Sequence, residues 1–205
     1  MERYQDYVIK DGKFIGRFEE MYQKFEDPWN QKACIADSYV RHATNVSIRK
    51  YHIQSLLEVG CGLGGGSNFW KESNPGLQIT GMDISKTAIE KAKNNYPDIH
   101  FLVGNISTYQ KELAQYDACL FAEIMWYILD DIDVILKNLQ YFFYGKTVMV
   151  NQTFYKAGVQ QYGKEYFTNL DEMCAYLPWK CLEKIVEEDV ETGSIDTHSV
   201  FRIGD

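Results

Sequence analysis

The chain has 205 residues, 45% hydrophobic and 15% aromatic, which is apolar mass for one substantial core rather than a tandem of domains. Lys and Arg number 21 against 29 Asp and Glu, a formal net charge of −8, so a phosphate backbone would be bound against the protein's own field and nucleic acid is disfavoured as a partner. The longest apolar run, Ala118 to Leu129, contains Glu123 and falls short of the ~20 residues that a membrane helix needs, so no membrane partner is expected either.

Residues 1–50 read as an N-terminal extension. The opening Met1-Glu-Arg-Tyr-Gln-Asp has neither a positive start nor an apolar stretch of the secretory kind. Five widely spaced cysteines (Cys34, Cys61, Cys119, Cys174, Cys181) without a C-x-x-C pair read as reduced thiols, and a cytoplasmic location is expected. The four histidines lack ligand spacing, so no metal is expected. Two helices, about Arg17 to Phe25 and Gln31 to Arg49, are split by Asp27-Pro-Trp-Asn and are expected to fold as a lid.

From residue 51 to 205 a single compact domain is expected. Strand-like runs alternate with helical ones: Ser55-Leu-Leu-Glu-Val, a glycine-rich turn, Leu77 to Asp83, a helix from Lys86 to Tyr96 capped by Ser85, Ile99 to Val103, and Tyr116 to Ala122. A helix near Asp131 to Tyr144, the strand Thr147-Val-Met-Val and a helix between Thr168 and Pro178 follow. Stretches at Cys181 to Asp189 and Thr197 to Ile203 flank Glu191-Thr-Gly-Ser-Ile-Asp and predict a closing hairpin. This rhythm predicts an α/β domain with helices on both faces of a largely parallel sheet.

The chemistry concentrates at Leu56-Leu-Glu-Val-Gly-Cys-Gly-Leu-Gly-Gly-Gly-Ser67, a buried strand feeding a turn where Gly60, Cys61, Gly62 and Gly64 let the backbone approach a ligand. Gly60, Gly62 and Gly65 also satisfy the dinucleotide pattern G-x-G-x-x-G, so an NAD(P)-dependent oxidoreductase is a competing reading. Glu58 separates the two, because a carboxylate two residues before the first glycine repels a pyrophosphate and suits a cationic ligand such as S-adenosylmethionine. At the next strand end Asp83 is placed to accept ribose hydroxyls, with Ile84 against a base and Asn105 and Ile106 at the base edge. An ordinary turn role for Asn105 stays open.

These motifs, Glu58-Val-Gly-Cys-Gly-Leu-Gly, Asp83-Ile84, Gly104-Asn105 and Asp117-Ala-Cys-Leu-Phe-Ala-Glu123, resemble the class I S-adenosylmethionine-dependent methyltransferases over about residues 54 to 150. The resemblance implies a Rossmann-like seven-stranded sheet of order 3-2-1-4-5-7-6 with the last strand antiparallel, S-adenosylmethionine as cofactor, and Ala122 among its contacts. Met21-Tyr-Gln-Lys-Phe-Glu-Asp-Pro-Trp-Asn30 with Ser38-Tyr39, and Glu123-Ile-Met-Trp-Tyr127, resemble the nodulation-protein-S-like methyltransferases, whose acceptors are amino sugars or saccharides. Asn105 stands where many class I enzymes carry Asp. No pattern beyond Asn151 matches, so the acceptor is not carried over.

The expected activity is methyl transfer to nitrogen or oxygen of a small polar molecule, with a non-catalytic cofactor-binding protein as the rival. Glu123, after the fourth strand of that sheet, is the candidate base, and Tyr127 joins it as a catalytic candidate. Trp29 is expected over the cofactor, and Tyr39, Trp126 and Asn151 around the acceptor. Oligomeric state has no signature in the sequence.

Overall fold

The computed structural model describes residues 3–31, 38–156 and 158–204. The N-terminal part opens with a short 3-10 turn, Tyr4–Tyr7, and a two-stranded hairpin of β1 (Ile9–Lys10) and β2 (Lys13–Phe14). Its connection is Asp11-Gly12 with φ of 51° and 71°, the left-handed pair that a two-residue hairpin turn requires. Helix α1 spans Phe18–Lys24 and α2 spans Tyr39–Lys50. Part of the helix expected from Gln31 falls on residues outside the described ones; Gln31 itself lies in a turn, and the described helix starts at Tyr39 after the cap Ser38, whose Oγ accepts the Arg41 N–H at 3.4 Å.

The main domain runs β3 (Ser55–Val59), α3 (Gly65–Ser73), β4 (Gln78–Asp83), α4 (Lys86–Asn95), β5 (His100–Val103), β6 (Ala118–Ala122), α5 (Ile132–Phe142), β7 (Thr147–Phe154), α6 (Leu170–Tyr176), β8 (Lys180–Glu188) and β9 (Ile195–Arg202). Ser85 caps α4 by accepting the Ala88 N–H at 3.1 Å, as its position predicts, and Asn169 caps α6. The seven strands lie in the order β5-β4-β3-β6-β7-β9-β8, with β9 antiparallel to both of its neighbours. Counted within the sheet this is 3-2-1-4-5-7-6, the expected Rossmann-like topology.

Successive strand residues face opposite layers, so β3 sends Leu56 to one core and Leu57 to the other. The first core joins Leu56, Ile79 and Leu120 to Ile48 of α2, Trp70 of α3 and Ile89 of α4. The second joins Leu57, Phe121 and Val150 to Ile135 and Leu139 of α5 and Met173 of α6. Helix α2 therefore belongs to a layer of the domain, while α1 sits at the rim with its own small core of Tyr7, Met21, Tyr22, Leu63 and Ala88.

Contacts at both of its ends hold α1 in place. Glu19 accepts from Ser85 Oγ at 2.7 Å and Thr87 Oγ1 at 2.6 Å at the α4 N-terminus, where the helix dipole favours an anion. Lys91 Nζ returns donors to the Tyr22 and Phe25 carbonyls at 2.7 and 2.9 Å. Among the described residues no helix is long and apolar enough to cross a membrane, and no group of three or more His, Cys, Asp or Glu is placed to hold a metal ion. Cys61, Cys119, Cys174 and Cys181 are free thiols, and Cys34 lies outside the described residues.

Candidate functional site

The carboxyl ends of β3, β4, β6 and β7 open into a cavity of about 640 Å³, where open α/β sheets place ligands. Its floor is the turn after β3. Gly60 has φ +74°, and a Cβ there would stand 2.4 Å from Ile124 Cγ2, so only glycine fits. At Gly66 a Cβ would lie 2.7 Å from Glu58 Oε1, a close approach that sequence reading did not single out although the glycine run contains it.

Two buried carboxylates face this floor. Glu58 is 3% exposed, takes a hydrogen bond from Ser67 Oγ, and is pushed up to about 7 by burial, which outweighs that bond and the nearby Arg41 charge. Asp83 accepts the Gly62 and Ser85 N–H groups, each at 2.9 Å, and burial raises it to about 6. Ile84, Asn105, Ile106 and Ala122 line the same cavity. Asn105 also closes its own turn, its Oδ1 accepting the Ser107 N–H at 2.9 Å, so the turn role and the lining role coincide.

Glu123 leaves β6 in the left-handed region at φ +60°, a backbone state that costs a non-glycine residue ~1–3 kcal/mol. Its N–H donates to the Asn151 carbonyl at 2.8 Å, and its Oε2 accepts the Thr153 N–H at 2.9 Å, which aims the head group at the cavity wall. Burial raises its pKa. Tyr127 stands nearby with its phenol held well above the ordinary range, chiefly by burial, and stays neutral. Its ring lies 5.9 Å from that of Trp29, whose indole N–H donates to Tyr22 Oη at 3.1 Å. Trp126 lines the cavity and donates to the Thr153 carbonyl at 3.4 Å.

Two acceptor candidates are placed elsewhere. Tyr39 is 72% exposed and outside the cavity lining, because it is the first residue of α2 and points to solvent. Asn151 is 2% exposed beneath α2, where its Oδ1 meets His198 Nδ1 at 2.7 Å and its Nδ2 donates to Thr44 Oγ1 at 3.0 Å. His198 Nε2 meets Ser47 Oγ at 2.8 Å, and burial lowers this imidazole to about 4, so it is neutral. That polar cluster ties α2 to β7 and β9. Cys61, Gly62 and Gly64 shape the turn without lining the cavity: Cys61 is fully buried, Gly62 donates to Asp83, and Gly64 caps α3.

The cavity also takes in residues that sequence reading passed over. Phe14, Phe18 and Tyr22 come from the N-terminal part, Gln31 from the turn after it, and Gln152 and Tyr155 from the end of β7. Arg41 of α2 lines it as well, and its buried Nη1 has no hydrogen-bond partner among the described residues. No spacing signal marked Arg41, which shares its side of α2 with Thr44, Asn45 and Ile48.

Residues 56–141 match the model of a methyltransferase domain family. Among solved structures, the methyltransferase domain of bacterial CtHen1 is 18% identical with a TM-score of 0.63, over 79% of this chain and 96% of that one. The N-methyltransferase NodS from Bradyrhizobium japonicum WM9, in complex with S-adenosyl-L-homocysteine, is 13% identical with a TM-score of 0.64, over 90% and 97%. The PH0226 protein from Pyrococcus horikoshii OT3 is 14% identical with a TM-score of 0.64, over 91% and 99%.

Proposed function

We propose that the chain is an S-adenosylmethionine-dependent methyltransferase that moves the methyl group to a nitrogen or oxygen of a small polar acceptor of the amino-sugar or saccharide kind. The observation that carries the reading is the buried Glu58 and Asp83 beside a turn whose Gly60 has no room for a Cβ. Bound there, the cofactor supplies an electrophilic methyl on a positively charged sulfur.

The residues present suit that group. Glu58 offers a negative charge to an ammonium, and Arg41 Nη1, unpartnered among the described residues, offers a donor to a carboxylate, so an amino-acid end finds both of its charges answered. Asp83 is placed to take ribose hydroxyls, and Ile84, Asn105 and Ile106 to face the base. Trp29, Tyr22 and α1 stand at the rim, where cover over a bound cofactor would favour a displacement between partners held in line. Glu123 holds the proton-accepting position, and its burial-raised pKa moves it toward the range where a base works near neutrality.

Calorimetry with S-adenosylhomocysteine tests the cofactor assignment directly: one site is expected, and no heat of binding would overturn it. For chemistry, Glu123→Gln keeps the acceptor for the Thr153 N–H and is expected to retain cofactor binding while turnover falls about tenfold or more. Turnover equal to that of the parent protein would remove Glu123 from the reaction.

A further inference from the structure

We infer that the acceptor is an amine that arrives as a cation, its nitrogen seated between Glu123 and the rings around Tyr127; this rests on the methyltransferase reading and narrows its substrate class. The first support is charge. Five carboxylates, Glu58, Asp83, Glu123, Asp130 and Asp131, border the cavity against one guanidinium, Arg41. Glu58 and Arg41 face the charged amino-acid end of the cofactor and Asp83 its ribose, which leaves Glu123 at the wall and the exposed Asp130 and Asp131 at the rim, with Arg41 the one cation among the described lining residues. A neutral sugar hydroxyl gains little from that field, whereas an ammonium is attracted by it.

The second support is the wall. The Tyr127 ring lies 5.4 Å from Phe18, 5.9 Å from Trp29 and 6.5 Å from Phe14, and Tyr4 packs edge-on to Trp29 at 4.9 Å. Tyr155 adds a ring at the Glu123 side, and burial raises its phenol, so like Tyr127 it is a neutral π surface. Neutral rings converging on a cavity with a carboxylate behind them attract a positively charged nitrogen through their faces. Asp196, joined to Thr153 Oγ1 at 2.6 Å on the other side of the Glu123 contact, deepens the negative field.

The step is balanced by Glu123. One ammonium proton passes to its carboxylate, the freed lone pair forms the new N–C bond, and the C–S bond breaks with its electron pair going to sulfur. Glu123 then returns the proton to solvent. The neutral phenols of Tyr127 and Tyr155 hold the methylated nitrogen by their faces and take no proton.

The test uses a pair of probes equal in shape and different in charge, choline and 3,3-dimethylbutan-1-ol, titrated into the full chain saturated with S-adenosylhomocysteine and followed by NMR. Choline is expected to bind about tenfold more tightly, equivalent to ~1.4 kcal/mol. Glu123→Gln and Tyr127→Leu are each expected to shrink that ratio while still binding S-adenosylhomocysteine. Equal affinity for the two probes, or binding of neither by the loaded protein, overturns the amine assignment and leaves the cofactor reading standing. Failure of S-adenosylhomocysteine itself to bind overturns both.

Discussion

Glu58 is a buried carboxylate that the Arg41 charge only partly offsets, and the turn beside it shows why such a side chain is kept. Ionised, it is penalised by burial in the ligand-free protein; protonated, it has no charge to offer an incoming ammonium. Its folded value of about 7 lies above the ordinary 4.5, so the stability it contributes is fully present below pH ~4.5 and is lost as pH rises through about 7. Cofactor affinity runs the opposite way over the same interval. The S-adenosylhomocysteine dissociation constant is therefore expected to fall between about pH 6 and about pH 8, and Glu58→Gln is expected to flatten that profile. Calorimetry at several pH values decides, and parallel profiles for the two proteins would sink the assignment. Single residues also mark the limit of reading a sequence: Glu58, Gly60 and Asp83 announce themselves through spacing, but Asn151 does not. It lies inside β7, where its side chain turns to the face covered by α2 and meets His198, its cross-strand partner 47 positions away in the chain.

At the scale of elements, local signals translated well. Ser85 before α4 and the glycine run before α3 name their helices because cap and turn chemistry acts within three or four residues. The Asp11-Gly12 turn carried an equally local signal for the β1–β2 hairpin, masked because its strands are only two residues long. The seating of α1 was not legible, since Glu19 reaches residues 66 and 68 positions away. Glu19 accepts enough hydrogen bonds to lower its pKa to about 2, below the ordinary 4.5, so its contribution is present above pH ~4.5 and lost as pH falls toward 2. Near neutrality α1 is thus clamped to α4. Glu19→Ala is expected to weaken S-adenosylhomocysteine binding severalfold with a small drop in melting temperature, because the rim carrying Phe18 and Tyr22 loses its anchor. An unchanged dissociation constant, measured by calorimetry, would show that the rim plays no part in holding the cofactor.

Across the whole molecule, the largely parallel sheet and its closing hairpin were legible from the strand-helix rhythm and the turn residues, whereas the strand order that the sheet adopts came from the resemblance of the motifs and not from spacing. The cavity was most legible where three successive strand ends bring Glu58, Gly60, Asp83, Ile84, Asn105 and Ile106 together, and on its far side only through Trp29, Glu123, Trp126 and Tyr127. Its other wall is assembled from β2, α1, the turn at Trp29, the segment after β6 and the end of β7, and no spacing rule links those stretches. Three of the four tryptophans, Trp29, Trp70 and Trp126, border this space, and the fourth, Trp179, is buried in the core behind β9. The indoles are thus gathered where a guest would change their surroundings, so the protein's ultraviolet emission is an intrinsic gauge of occupancy that needs no attached dye.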